Sequence, residues 1–203
     1  ASLAGVATLH APAGIRLADS VQIERDPLYL SGMVEIQDEG SQLVSLACRA
    51  QPEMLVVDLC AGAGGKTLAL AAEMANRGRI IACDSDRARL SRLPPRAARA
   101  SVSIIEPRLL DPGDEAPTLA DLESAADVVL VDAPCSGTGT WRRNPEARWR
   151  ITPRRLAAVA KMQGRLLDLA AGLVRPGGRL VYAVCTLLQQ EGADQAAALL
   201  DRR

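Results

Sequence analysis

Phenylalanine is absent from this 203-residue chain, and aromatic residues make up 2% of it: Trp141, Trp149, Tyr29 and Tyr182. So few rings exclude a base-stacking sheet of the kind that RNA-recognition modules use. Lysine is almost as scarce, at Lys66 and Lys161 alone, so arginine carries nearly all of the positive charge. The 24 basic and 24 acidic side chains give a net charge of zero, and no global field announces a polyanionic partner. A nucleic acid would have to be held by a local patch. The five cysteines (Cys48, Cys60, Cys83, Cys135, Cys185) form no C-x-x-C pair, and their number is odd. That argues against a zinc ribbon and against a disulfide framework, and fits a reducing, cytoplasmic setting with no metal. The most apolar stretch, Leu166 to Val174, is short and interrupted by Asp168, and residues 1–10 lack a basic n-region. Neither a membrane span nor a signal peptide is expected. The chain starts at Ala1 rather than methionine, which leaves room for a native start upstream.

What is present is the composition of a packed domain: 48% hydrophobic and 24% charged residues over a length that one core commonly serves. Residues 1–27 carry Pro12, Gly14 and Pro27 with no sustained period and read as an irregular arm with short strands. Gln37 to Ala50 reads as a helix, with Leu43, Leu46 and Ala47 on one face and Asp38 or Ser41 as its cap. Apolar runs then alternate with helices. The runs are Met54–Leu59, Arg79–Cys83, Val102–Ile105, Asp127–Val131 and Arg179–Val184; the helices run to Asn76, around Arg87–Arg92, and from Thr152 to Val174. Pro107 to Pro117 reads as a linker, and Pro176-Gly177-Gly178 as the stop of the long helix. This alternation indicates an α/β, Rossmann-like, doubly wound and mostly parallel sheet, with residues 1–50 as arm and leading helix and 51–203 as one core. A monomer is expected.

Asp58-Leu59-Cys60-Ala61-Gly62-Ala63-Gly64-Gly65-Lys66-Thr67 follows a strand and opens a helix, where doubly wound folds bind nucleotides. A dinucleotide fingerprint needs its third glycine at position 67, which is Thr67; a P-loop needs its first glycine at position 60, which is Cys60. S-adenosyl-L-methionine has no pyrophosphate and needs only a tight glycine turn, with an acid after the next strand for its ribose. Asp84 stands there, with Asp86 behind it.

Two cysteines fall at strand ends. Cys135 lies in the loop Asp132-Ala133-Pro134-Cys135-Ser136-Gly137-Thr138-Gly139, and Cys185 follows Val184 at the end of the last strand. The topology brings both thiols to the cofactor edge, while Cys48, Cys60 and Cys83 read as small buried hydrophobes. Arg142, Arg143, Arg148, Arg150, Arg154 and Arg155 form a local basic cluster in which Glu146 is the only acid, a suitable phosphate-binding patch.

From about Tyr29 to Leu200 the chain resembles the RsmB-type (Sun/Nop) family of RNA 5-methylcytosine methyltransferases. The similarity lies in Gln37-Asp38-Glu39-Gly40-Ser41-Gln42, in Asp58 to Thr67, in Asp132 to Gly139 and in Arg142-Arg143-Asn144-Pro145. The resemblance implies a class I S-adenosylmethionine-dependent methyltransferase whose final strand pair is not visible in this sequence. It implies Cys185 as nucleophile and Cys135 as the thiol that assists product release. Two departures are Val184-Cys185-Thr186 for the usual Thr-Cys-Ser, and Gly62-Ala63 for the usual Ala-Pro pair.

The residues suit that chemistry. Carbon 5 of cytosine is a poor nucleophile until a thiolate adds to carbon 6, the step expected of Cys185. Asp132 is expected to hydrogen-bond the N3 edge, Lys66 to favour a thiolate or contact the base, and Cys135 to help remove the carbon 5 proton. Asp58, Cys60, Ala61, Gly62, Gly64, Gly65, Lys66, Asp84 and Asp132 are the expected cofactor contacts. The expected substrate is single-stranded or looped RNA, ribosomal before transfer RNA. A non-catalytic RNA-binding scaffold is the alternative, and a DNA-type enzyme would move the nucleophile to the Pro-Cys loop.

Overall fold

A computed structural model of the chain describes residues 5–17 and 21–203. The arm begins as a hairpin, β1 (Gly5–Ala7) against β2 (Ile15–Leu17), followed by one turn of helix, α1 (Pro27–Leu30), capped by the Asp26 carboxylate. α2 (Glu39–Ala47) leads into the core. It is shorter at both ends than the sequence pattern indicates. Asp38 holds the N-cap position without a capping bond, because its carboxylate pairs instead with Arg143 at 2.5 Å.

Five parallel strands follow: β3 (Leu55–Asp58), β4 (Arg79–Asp84), β5 (Ile105–Leu109), β6 (Ala126–Asp132) and β7 (Val174–Ala183), in the order β5-β4-β3-β6-β7. The switch in winding direction lies at β3, whose neighbours are β4 and β6. The helices are α3 (Gly65–Glu73), α4 (Arg87–Leu90), α5 (Leu93–Arg99), α6 (Pro153–Leu173) and α7 (Ala193–Asp201). Val56, Val57, Ile80, Ile81, Val128, Val129 and Leu130 are buried, as continuous apolar runs in a sheet covered on both faces should be. Val57, Ile81 and Val129 pack with Leu166, Ala170 and Leu173 of α6; Val56, Ile80 and Val128 pack with Leu70, Ala71 and Met74 of α3 and its end.

Three expectations are corrected. The third strand is shifted onto Ile105–Leu109 and takes Pro107 out of the expected linker, opposite Ala82. β5 is an edge strand, where a proline's missing N–H costs no ladder bond. The helix expected around Arg87–Arg92 divides in two: α4 ends at Leu90, and α5 begins at Leu93 with Pro94 and Pro95 in its first turn, where their missing N–H groups would have no helical partner anyway. Pro176-Gly177-Gly178 does not stop α6, which already ends at Leu173; it forms a bulge within β7. From Ala126 to Val128, β6 advances two residues while β7 advances five, from Val174 to Arg179. Gly178 permits this, since a Cβ there would lie 3.0 Å from the carbonyl oxygens of Ala126 and Asp127.

Candidate active site

Because every strand of the core sheet runs the same way, the carboxyl ends of β3, β4, β6 and β7 share one edge, and the site is built on it. The turn from β3 to α3 is tied down by Leu59 N–H donating to Leu130 O (2.9 Å), Ala61 N–H to Cys83 O (2.7 Å) and Gly62 N–H to Asp84 Oδ2 (2.7 Å). Gly64 caps α3 at φ +83°, and a Cβ there would overlap Leu93 Cδ1. Only glycine meets both conditions without strain.

A cleft of about 270 Å³ opens over this turn. Asp58, Cys60, Ala61, Gly65, Lys66 and Asp132 line it, together with Gln37, Asp38 and Ser41 from the start of α2 and the residues before it. Asp58 is buried at its floor. Its Oδ2 accepts from Thr67 Oγ1 at 2.7 Å, and its Oδ1 has no partner among the described residues. Gln37 Nε2 is likewise buried without a partner among them. Burial pushes the Asp58 carboxyl up to about 6, with the Thr67 hydrogen bond opposing, the Asp132 charge adding and Lys66 opposing. An unfilled acceptor and an unfilled donor therefore face one small cavity, an arrangement that suits the ammonium and carboxylate of an amino acid. A Cβ at Gly65 would enter this space and meet nothing nearer than Gln37 Nε2 at 3.8 Å. These residues fit the methionine end of S-adenosylmethionine.

The acid after β4 is placed differently from a free ribose acceptor. Asp84 lies beneath the turn, 6% exposed, with Oδ2 on Gly62 N–H, Oδ1 accepting from Asp86 N–H at 2.7 Å, and the Arg89 guanidinium 3.8 Å away. Asp86 is engaged as the cap of α4, accepting from Ala88 and Arg89 N–H.

The two thiols do converge. Cys135 Sγ and Cys185 Sγ are 3.3 Å apart, although the residues are far apart in sequence. Beside them, Lys66 Nζ donates to Asp132 Oδ2 at 2.7 Å and to Ser41 Oγ at 3.2 Å, so Lys66 is not a solvated surface lysine. The hydrogen bond from the Cys135 thiol is the largest influence on Cys185, whose pKa falls to about 7; burial and the Asp132 charge oppose this and Lys66 assists it. Cys135, which keeps the shared proton, is pushed up by the same bond and by burial. Burial raises Cys48, Cys60 and Cys83 as well, Cys48 and Cys83 to about 12, in line with their reading as inert hydrophobes. With Cys135 as donor, the contact favours Cys185 as the thiolate of the pair.

Sequence reasoning missed the layer behind the thiols. Glu191 is 1% exposed and accepts from Ser136 N–H (2.7 Å), Ser136 Oγ, Thr186 Oγ1 (2.8 Å) and Gln163 Nε2 (3.2 Å). Thr138 Oγ1 meets Thr186 Oγ1 at 2.9 Å and accepts from Leu187 N–H at 2.7 Å. The one sequence signal is Gln163, a polar residue on the apolar stripe of α6 that carries Leu166, Leu167 and Ala170.

The six arginines of the expected patch are all exposed, on a 3-10 turn (Pro145–Arg150), the loop before it and the start of α6. Arg143 pairs with Asp38, and the Arg148 guanidinium lies 4.6 Å from the ring centroid of Trp149, itself 76% exposed. No cluster of three or more metal-ligating side chains occurs among the described residues, and no described helix is long and apolar enough to cross a membrane.

Known proteins resemble this chain in sequence and fold. The chain is 38% identical over 193 residues to a probable ribosomal RNA small subunit methyltransferase B of Synechocystis sp., covering 93% of this chain and 42% of that one. It is 34% identical over 203 residues to the ribosomal RNA small subunit methyltransferase B of Klebsiella pneumoniae, covering 100% and 46%. It therefore spans less than half the length of these relatives. The crystal structure of PH0851 superimposes with a TM-score of 0.91 at 33% identity, over 98% of this chain and 44% of that one. That of NSun6 from Pyrococcus horikoshii with SFG gives 0.78 at 27%, over 88% and 45%. Residues 45–203, which hold the glycine turn, both thiol loops and the buried Glu191 behind them, match the family described as 16S rRNA methyltransferase RsmB/F, and the chain belongs to that family.

Proposed function

We propose that this chain is the catalytic part of an S-adenosylmethionine-dependent enzyme that methylates carbon 5 of cytosine in RNA, with small-subunit ribosomal RNA as substrate. The observation that carries the proposal is the thiol pair at 3.3 Å beside the Lys66–Asp132 pair, at the mouth of a cleft that fits an amino acid end. The names of the relatives support the ribosomal substrate, and the NSun6 structure with SFG, an analogue of S-adenosylmethionine, supports the cofactor.

Bound in the cleft, S-adenosylmethionine supplies an electrophilic methyl group. The protein does the rest. Cys185, as thiolate, adds its sulfur to carbon 6 of the flipped cytosine, and the displaced electron pair makes carbon 5 nucleophilic. As the sulfur adds, N3 takes up a proton from water, and Asp132, fixed by Lys66 Nζ, accepts the hydrogen bond from that N3–H, so that the addition leaves no negative charge on the ring. Once carbon 5 carries the methyl group, its proton passes to a water held by Cys135, the double bond re-forms, and the carbon 6–sulfur bond breaks to release Cys185 as the thiolate that the protonated Cys135 hydrogen-bonds. Arg142, Arg148, Arg150, Arg154 and Arg155 bind the RNA backbone near the thiols.

The test separates the thiols in time. Cys185→Ala cannot form the adduct and should neither methylate nor hold RNA. Cys135→Ala should add and methylate once, then stall with RNA joined to Cys185, seen as a shifted band on a denaturing gel that requires both RNA and cofactor. A DNA-type assignment gives the reverse pattern, and a scaffold gives no band and no methyl transfer by the parent protein.

A further inference from the structure

We propose that Glu191 is the positioning residue of the thiol pair: its buried carboxylate fastens the loop carrying Cys135 to the loop carrying Cys185 and so sets the distance between the sulfurs. The thiols' catalytic roles rest on the function proposed above; the geometric inference does not.

A carboxylate is almost never fully buried unless it is paired, yet Glu191 is 1% exposed and forms no ion pair among the described residues. Its compensation comes from neutral donors, and their placement is specific. Ser136, which follows Cys135, gives it both the backbone N–H and the hydroxyl; Thr186, which follows Cys185, gives it a hydroxyl. One side chain thus holds the residue immediately after each thiol. Gln163 holds the carboxylate from behind and also donates to Pro134 O, just before Cys135, at 2.9 Å. Burial alone would raise this carboxyl, but the bonds from Ser136, Thr186 and Gln163 outweigh it and keep the group below the usual range, so it stays ionised and both oxygens accept.

The loops then meet closely. Ser136 Oγ and Thr186 Oγ1 are 3.0 Å apart, and Gly139 N–H donates to Cys185 O at 3.1 Å. A Cβ on Gly139 would also lie 3.1 Å from that oxygen, so a side chain there would push the loops apart. The groups facing Cys185 are the Cys135 thiol, Asp132 at the end of β6 and Lys66 from α3. Of these, the Cys135 thiol acts through a hydrogen bond that depends on the separation of the two loops. Glu191 therefore reaches Cys185 through distance and not through its own charge.

The experiment reads the thiolate directly. Alkylation of Cys185 by iodoacetamide, followed by mass spectrometry of its peptide across pH, should give a midpoint near 7 in the parent. Glu191→Gln replaces one acceptor oxygen with a donor and breaks one arm of the clasp, so the midpoint should rise by about one pH unit or more toward the free-thiol range near 8.5. Affinity for S-adenosylhomocysteine should stay within about twofold of the parent. If Glu191→Gln does not fold, Ser136→Ala removes the hydroxyl arm and keeps the backbone arm, and should show a smaller shift of the same sign. A residue that merely stabilised the fold would lower the melting temperature and leave the midpoint at the parent value in both variants; that result overturns the inference. With RNA, Glu191→Gln should lower the single-turnover methylation rate at an unchanged KM for RNA. If the midpoint moves but the parent transfers no methyl group, the clasp stands and the RNA methylation reading falls.

Discussion

Adjacent glycines in the cofactor turn have opposite reasons to exist, and single substitutions should separate them. Gly64 sits at φ +83° with Leu93 Cδ1 occupying the place of a Cβ, so Gly64→Ala meets both a conformational penalty and a clash. It should destabilise the protein by more than ~1 kcal/mol, the cost of the left-handed conformation alone. Gly65 is the first residue of α3 and has no such φ; its Cβ would meet only Gln37 Nε2 at 3.8 Å. Gly65→Ala should therefore raise stability by ~0.4–1 kcal/mol through the unfolded chain, yet lose affinity for S-adenosylhomocysteine because the methyl group enters the cleft. Thermal melts and calorimetric titration of the two variants check this. Equal affinity in Gly65→Ala and parent would mean that the cofactor does not occupy the space over that glycine.

At the scale of elements, the RNA-binding patch proposed above is the arginine-rich segment between β6 and α6, locally basic in a chain with no net charge. Arg143 already faces Asp38, whereas Arg142, Arg148 and Arg150 have no acidic partner among the described residues. Replacing these three with glutamine should weaken RNA binding and flatten the plot of log affinity against log salt, by ~0.7 for each phosphate of a single strand that is no longer neutralised. A filter-binding titration with an unchanged slope would remove the patch. Much of this level is legible in the sequence. β3, β4 and β6 lie within a residue or two of their apolar runs because a buried parallel strand is a short unbroken apolar run, and Thr152 caps α6 through Arg155 N–H as a threonine before a Pro-led helix should. Misreadings cluster at proline. Pro107 sits on an edge strand and Pro176 lies in a bulge, both positions where the missing N–H costs little, which depends on neighbours that only the fold supplies. For the same reason Cys135, Cys185, Lys66 and Asp132 can be named from their motifs, whereas Glu191, Ser136 and Thr186 cannot be joined, because an ordinary Gln-Gln-Glu turn becomes a clasp only when the sheet order sets β6 beside β7.

Over the whole molecule, the sheet order gathers Cys135, Cys185, Lys66 and Asp132 at one edge and leaves one ionisable group, Asp58, buried beneath it with an oxygen unpaired among the described residues. That has a consequence for stability that runs against the rest of the chain. Glu106, Glu115, Asp121 and Asp127 have lowered pKa values, held down by arginine partners or backbone N–H groups. They contribute stability above their unfolded pKa and lose it as pH falls. Asp58 is raised from 3.8 to about 6, chiefly by burial, so between these values the folded state binds more protons at this site than the unfolded chain. The stability it contributes is therefore present below about pH 4 and lost as pH rises through about 6. A shift of this size corresponds to ~2–3 kcal/mol. Asp58→Asn removes the titration, so the stability of the parent relative to Asp58→Asn should fall by ~2–3 kcal/mol from pH 4 to pH 6 and level off above it. Urea unfolding of both proteins at half-unit steps of pH, without ligand, measures that difference and cancels the other carboxylates, which the two share. A flat difference would mean that Asp58 is not raised, and a difference of opposite slope would mean that its free oxygen meets a donor in the protein; either result would remove the unfilled acceptor from the floor of the cleft.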